Sequence, residues 1–168
     1  MSFAIVVGMA GCSAANGEPA VSPSPTPMFD SDEEATAAAV EVYERYLAVN
    51  AAINADHGTN AERILDVTTN RYGTELLAEF RSMREAGVHI TGSGALVDWR
   101  LAEIDELRRH LDLELCLSAG DTRIIDAAGN DGTPDRPDVA PLVVSFTVLD
   151  SGQVRLDGSE TWSGEQFC

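Results

Sequence analysis

Residues 71 to 101 read Arg71-Tyr-Gly-Thr-Glu-Leu-Leu-Ala-Glu-Phe-Arg-Ser-Met-Arg-Glu-Ala-Gly-Val-His-Ile-Thr-Gly-Ser-Gly-Ala-Leu-Val-Asp-Trp-Arg-Leu101, and the spacing of apolar side chains changes inside this stretch. Up to Gly87 the period is helical: Tyr72, Leu76, Leu77, Phe80 and Met83 fall on one side of a helix over Arg71 to Ala86, with Gly87 as its C-cap. Gly92, Ser93 and Gly94 punctuate the changeover. Beyond them the period is two, because Val97, Trp99 and Leu101 alternate with Asp98 and Arg100 as in a half-buried strand.

The N-terminal side of this boundary is helical. Ser31 with Glu34 forms a capping box, and Asp32, Glu33 and Glu34 place negative charge at the positive end of the helix dipole. The helix runs to about Ala55, with Ala35, Ala39, Val42, Tyr46, Val49 and Ile53 at spacings of three and four and Tyr43 and Leu47 widening the stripe. Thr59 or Asn60 can cap a short second helix carrying Ile64, Leu65 and Val67. His57, just after the first helix, reads as a cation at the negative dipole end. The C-terminal side is stranded: Leu111, Leu113, Leu115 and Leu117 alternate with His110, Asp112, Glu114 and Cys116. Val139 to Leu149 and Val154 to Trp162 form a hairpin over Ser151-Gly152. A two-residue turn would set Phe146 opposite Asp157 and Val144 opposite Ser159, so a bulge or a longer loop is expected. Asp126 to Asp138 reads as loop, and its acidic residues miss the calcium-loop spacing of an EF-hand.

Phe3 to Gly11 is short, apolar and closed by small residues before Cys12, like the core and cleavage site of a signal peptide. Met9-Ala10-Gly11-Cys12 resembles the lipobox of bacterial lipoproteins, which implies cleavage before Cys12 and acylation of its thiol with palmitate-type chains. Position 9 is Met where Leu is usual, and no basic residue precedes the apolar run. Ser13 to Pro27 is Ser, Ala, Gly and Pro-rich and reads as an extended tether. The organisation expected is a signal peptide over 1–11, a lipidated Cys12 and tether over 12–30, and one domain over 31–168. If Cys12 carries lipid, Cys116 and Cys168 remain as an even pair in an oxidising compartment, and a disulfide between them follows. Cys116 is out of phase with the leucines of its strand, so Cys168 would have to reach the face opposite the leucine core.

Helices followed by a long-stranded antiparallel sheet make an α+β domain. This pattern, from about Ser31 to Cys168, resembles the nuclear-transport-factor-2-like fold, in which N-terminal helices pack on a curved antiparallel sheet to form a cone. Together with the lipobox, the spacer, the strand Leu115-Cys116-Leu117-Ser118 and the closing Trp162, Gly164 and Cys168, it is similar to a group of actinobacterial lipoproteins of unknown function. Ser118 stands where those relatives tend to carry Asp. The resemblance implies a chain anchored by lipid on the extracytoplasmic side of the cell membrane.

The charge limits the partners. With 28 acidic residues against 11 basic ones, all Arg, the formal net charge is −17, which disfavours nucleic acid because phosphate binding needs clustered cations. No His-x-x-x-His, Cys-x-x-Cys, Gly-x-Ser-x-Gly or phosphate-loop motif occurs, so no metal or cofactor is expected. Asp98, His110 and Asp112 are the candidate polar groups of a pocket, with His89 at the start of the sheet; on alternate strand positions such residues more often form a solvated face. The expected function is binding of a small ligand or an envelope protein without catalysis. The alternatives are a pocket enzyme of isomerase or dehydratase type, or an accessory subunit of an envelope complex. Fold by itself transfers no chemistry.

Overall fold

A computed structural model of the chain describes residues 26–164 and Cys168. The signal segment, Cys12 and most of the tether lie outside the described residues. Helix α1 (Asp32–Ala55) starts at Ser31, whose hydroxyl accepts from the Glu34 backbone N–H at 3.2 Å while the Glu34 carboxylate accepts from Asp30 N–H at 3.0 Å, a reciprocal cap displaced by one residue from the usual box. A 3₁₀ turn (Ala61–Asp66) follows. It replaces the expected second helix, and neither candidate caps it through a side chain: Asn60 sits in the left-handed region, and the Thr59 hydroxyl donates back to Asp56 O at 2.6 Å. Helix α2 (Asn70–Ala86) begins at Thr69 and ends at Gly87, whose φ of 69° is the left-handed C-cap read from the sequence.

Helix α2 packs on the 3₁₀ turn through Gly73. A Cβ there would meet Leu65 Cδ2 at 2.4 Å and Thr68 Oγ1 at 2.6 Å, and Thr68 is buried with its hydroxyl bound to Ile64 O. Gly73→Val is therefore expected to lower the unfolding free energy by about 2–3 kcal/mol, read as a lower urea midpoint. An unchanged midpoint would show that this contact is not tight.

Four long strands form an antiparallel sheet in the order β2 (Ala95–Ile104), β3 (His110–Ser118), β5 (Val139–Val148), β6 (Val154–Thr161). A separate two-stranded ribbon pairs β1 (His89–Thr91) with β4 (Arg123–Ile125), an element not anticipated from the sequence. The domain is thus α+β, with N-terminal helices packed on an antiparallel sheet. The β6 edge is closed by Val67 to Thr69, through hydrogen bonds between Leu156 N and Val67 O and between Thr69 N and Leu156 O. Among the described residues no strand pairs with the β2 edge.

Bulges set the sheet's faces. In β2 the pairing jumps from Leu96 to Asp98 and from Leu101 to Glu103, so Leu96, Trp99, Leu101 and Ile104 lie across from Leu117, Leu115, Leu113 and Leu111. Val97 is extruded in the first bulge and is 57% exposed, which corrects its placement with Trp99 and Leu101. The β5–β6 hairpin uses both devices expected of it. The chain turns over Leu149 to Gln153, pairing Phe146 with Leu156, and a bulge at Asp157 then restores Val144 opposite Ser159. Acidic Asp157 is thereby kept off the core face.

Leu111, Leu113, Leu115, Val144, Phe146 and Leu156 are essentially inaccessible and pack against Ala35, Ala39 and Tyr43 of α1. A second cluster, Ile53, Ile64, Leu76 and Phe80, joins the end of α1 to α2. On the opposite face of the sheet Glu114 is buried and paired with Arg100. Cys116, also on that face and 2% exposed, is bonded to Cys168 across a Cα–Cα distance of 5.6 Å. Among the described residues no helix is long and apolar enough to cross a membrane.

Candidate functional site

The side of α1 that meets the sheet changes character along its length. Its first turns present Ala35, Ala39 and Tyr43, small or apolar groups that bring helix and sheet into contact. From Tyr46 onward the same stripe presents Tyr46, Asn50 and Asn54 at four-residue intervals, which successive turns of a helix stack on one face. Helix and sheet part here. The space between them is a cavity of about 250 Å³. Its apolar wall is Leu47, Ile90, Leu117, Ile124 and Leu142, its rim is Gly92 to Gly94, and its polar groups include Asn50, Asn54, Thr122, Arg136 and Ser159. Gly92 is required at the rim: its φ is 77°, and a Cβ would fall 2.2 Å from Asp121 O.

The asparagines form a directed ladder. Asn54 Nδ2 donates to Asn50 O at 3.0 Å and to Asn50 Oδ1 at 2.7 Å, and Asn50 Nδ2 donates to the Tyr46 hydroxyl at 3.2 Å. Because the backbone carbonyl can only accept, it orients both amides. Asn54 is 4% exposed, so this ladder is an interior feature. Burial pushes the hydroxyl pKa of Tyr43, Tyr46 and Tyr72 upward, with neighbouring tyrosines adding to the shift at Tyr43 and Tyr72; at Tyr46 the hydrogen bonds of Asn50 and Tyr72 act the other way.

Arg136, in the connection between β4 and β5, is half-buried. Its Nη2 donates to Ala119 O and Thr122 O, each at 2.9 Å, and to the Thr122 hydroxyl. Among the described residues no carboxylate forms an ion pair with it. Six other arginines do form such pairs: Arg63, Arg71, Arg100, Arg108, Arg109 and Arg123.

The residues singled out from the sequence lie elsewhere. Asp98 and Asp112 are on the sheet face opposite α1, and His110 is exposed at the start of β3, its Nδ1 3.4 Å from the Thr147 hydroxyl. None of the three lines this cavity; His110 and Asp112 line a separate, smaller depression with Glu103 and Asp105, and all three share the strand phase of Cys116, opposite the leucines. His89 lies against His57, ring centroids 4.3 Å apart. His57 contributes a backbone N–H to Asn54 O, while Asp56 is the C-cap of α1. Two carboxylates of the acidic loop bind the loop's own backbone: Asp131 accepts from Thr133 N–H, and Asp126 accepts from Ala128 and Asn130 N–H, the Asn130 bonds first among the causes that hold its pKa below the ordinary carboxylate value. Sequence reading missed Tyr46, Asn50, Asn54 and Arg136. For the first three a signal exists, since two asparagines at four-residue spacing interrupt an apolar stripe; Arg136 carries none.

No protein-family model and no curated protein sequence matches the chain. Among solved structures it is similar to the intermembrane-space region of the chloroplast protein ARC6, with TM-score 0.54 and 8% identity over 74% of this chain and 93% of that one. Looser likenesses join it to a protein of Catenulispora acidiphila (0.47; 12% identity; 76% and 94% covered) and to a provisionally assigned polyketide cyclase of Xanthomonas campestris pv. campestris (0.37; 13%; 74% and 92%). At such identities the likeness is one of fold alone.

Proposed function

We propose that the domain binds a small, largely apolar ligand in the cavity beneath α1 without transforming it, and that Cys12 anchors it by lipid on the outer side of the cell membrane. The observation that carries the binding reading is the lining: apolar walls, a satisfied amide ladder, and neither carboxylate nor imidazole among its described residues. An isomerase or dehydratase needs a base poised near neutral pH. The titratable hydroxyls at this cavity, Tyr43 and Tyr46, have their pKa pushed the wrong way for that role. In an oxidising, extracytoplasmic setting the Cys116–Cys168 bond is also the expected state.

Neutral benzamide, titrated into the full chain and followed by ligand-observed NMR, is expected to bind the wild type and to be lost in Ala51→Phe, which fills the cavity from a half-buried position of α1. Equal binding to both proteins would remove the cavity from the account. Cys12→Ala is expected to abolish lipid labelling in the native host and leave unprocessed precursor; a mutant that still takes label would sink the anchor.

A second reading, docking of an envelope protein, is favoured by one feature. Trp99, 45% exposed, and Leu101 on edge strand β2 form an apolar groove with Val40 of α1.

A further inference from the structure

We infer that the cavity selects a small amphiphilic monoanion, an apolar body carrying one carboxylate-like head, with Arg136 as the residue that receives the head. The inference rests on the binding reading above and names the ligand class for the same site.

The distribution of charge is the starting point. Acidic side chains outnumber basic ones by 28 to 11, so a cavity lined at random would more often carry a carboxylate than an arginine. The described lining has the reverse: Arg136 and no Asp or Glu. Two charges lie near Arg136: the Arg123 guanidinium, whose Nη1 donates at 2.7 Å to the same Thr122 O, and the Asp131 carboxylate, which accepts from Thr133 N–H at 2.9 Å and lies 3.7 Å from Arg123. That carboxylate is held by its own loop and does not form an ion pair with Arg136.

The guanidinium is held from one side. Among the described residues its three hydrogen bonds all leave from Nη2, to oxygens of Ala119 and Thr122. A guanidinium has five N–H donors in a planar fork, so donors remain on Nη1 and Nε, and the fork is already oriented before a ligand arrives. A half-buried cation of this kind has lost part of its hydration without gaining a counter-charge, which favours an anion that can accept two parallel hydrogen bonds.

Size and number of charges narrow the class further. A volume of 250 Å³ corresponds to about eight waters of liquid, below the roughly 300–1,000 Å³ usual for drug-sized ligands, so the occupant is small. One arginine matches one negative charge; a phosphate dianion would ask for a second cation or a helix N-terminus, and the lining offers neither. The apolar part of the lining, with Leu47, Leu117 and Leu142, requires an apolar body.

The test is a ligand-observed NMR titration of the full chain with benzoate and with its neutral isostere benzamide. Benzoate is expected to bind about tenfold tighter than benzamide, and to lose about tenfold in Arg136→Gln while benzamide changes by less than about twofold. Arg136→Lys, which keeps the charge but not the fork, should fall between. Because Arg136 also ties its loop to Ala119 and Thr122, the salt dependence of the unmutated chain supplies a measurement independent of any variant. Benzoate affinity should fall from low to physiological ionic strength, and benzamide affinity should not. Equal affinities for the two probes, or a preference for benzoate that survives Arg136→Gln, overturns the anion assignment while benzamide binding keeps the cavity reading intact. If neither probe binds, both readings fall together.

Discussion

Protein in which Cys116 and Cys168 are both serine is expected to melt on the order of 10–15 °C below the native chain, with the urea midpoint lowered to match a loss of about 4 kcal/mol. The two cysteines are 52 residues apart, and the loop they close contains β4, β5 and β6. Cross-linking a loop of that size removes much of the freedom of the unfolded chain, whereas the folded chain already holds the two Cα atoms 5.6 Å apart. The bond also pins the last residue to the sheet face opposite α1, over a β3 strand whose Glu114 and Cys116 are buried on that side. Scanning calorimetry of the oxidised native chain, the double variant and the reduced native chain provides the comparison. The last two should coincide. A melting temperature for the double variant within a few degrees of the oxidised chain would show that the remaining contacts restrain this segment by themselves.

Raising the pH above 10 is expected to unfold the domain cooperatively, with tyrosinate absorbance appearing only in step with loss of structure. The protein has three tyrosines, and all three have their pKa raised from the ordinary value of 10.0, first by burial. The sign follows from proton counts. Below 10 every tyrosine is neutral in both states, and the contribution to stability is fully present. Above 10 the unfolded chain releases three protons that the folded chain retains, so stability falls as the pH climbs toward the raised folded values. Because Tyr43 and Tyr46 of α1 and Tyr72 of α2 lie close together, Tyr43 and Tyr46 with ring centroids 5.8 Å apart, a charge on one also penalises a charge on the next. Tyr46→Phe should leave two protons coupled to unfolding and flatten the dependence, while removing the acceptor of Asn50 Nδ2. A tyrosinate signal that rises near pH 10 in a chain with intact circular dichroism would contradict this account.

The cavity depends on the same residues that make the alkaline transition steep. Tyr46 serves at once as a core side chain beside Tyr43 and as the acceptor at the end of the asparagine ladder. Its stripe is legible as helical, yet spacing alone treats it like Val42 or Ile53, because a phenol ring satisfies an apolar period whether or not its hydroxyl meets a partner.

Period, caps and phase were determined by the sequence alone. The helical and alternating stretches, the Ser31 and Gly87 ends, and the position of Cys116 opposite the leucines all follow from chain-local geometry, since 3.6 and 2 residues per repeat arise from backbone dihedrals without knowledge of neighbours. Only the tertiary structure decided the rest. Bulges at Val97, Ala102 and Asp157 shift the phase of a strand by one residue and so reassign which side chains face the core, and their placement depends on the partner strand. The same holds for the candidate site. Arg136 in a loop, Leu142 on β5 and Asn50 and Asn54 on α1 are distant in the chain, and they share a cavity only because the sheet closes beneath the helix where the stripe turns from apolar to amide. Asp98, His110 and Asp112, by contrast, share the phase of Cys116 and lie on the face away from the helix, as their alternation with the leucines implies, because the helix covers the side on which the leucines stand.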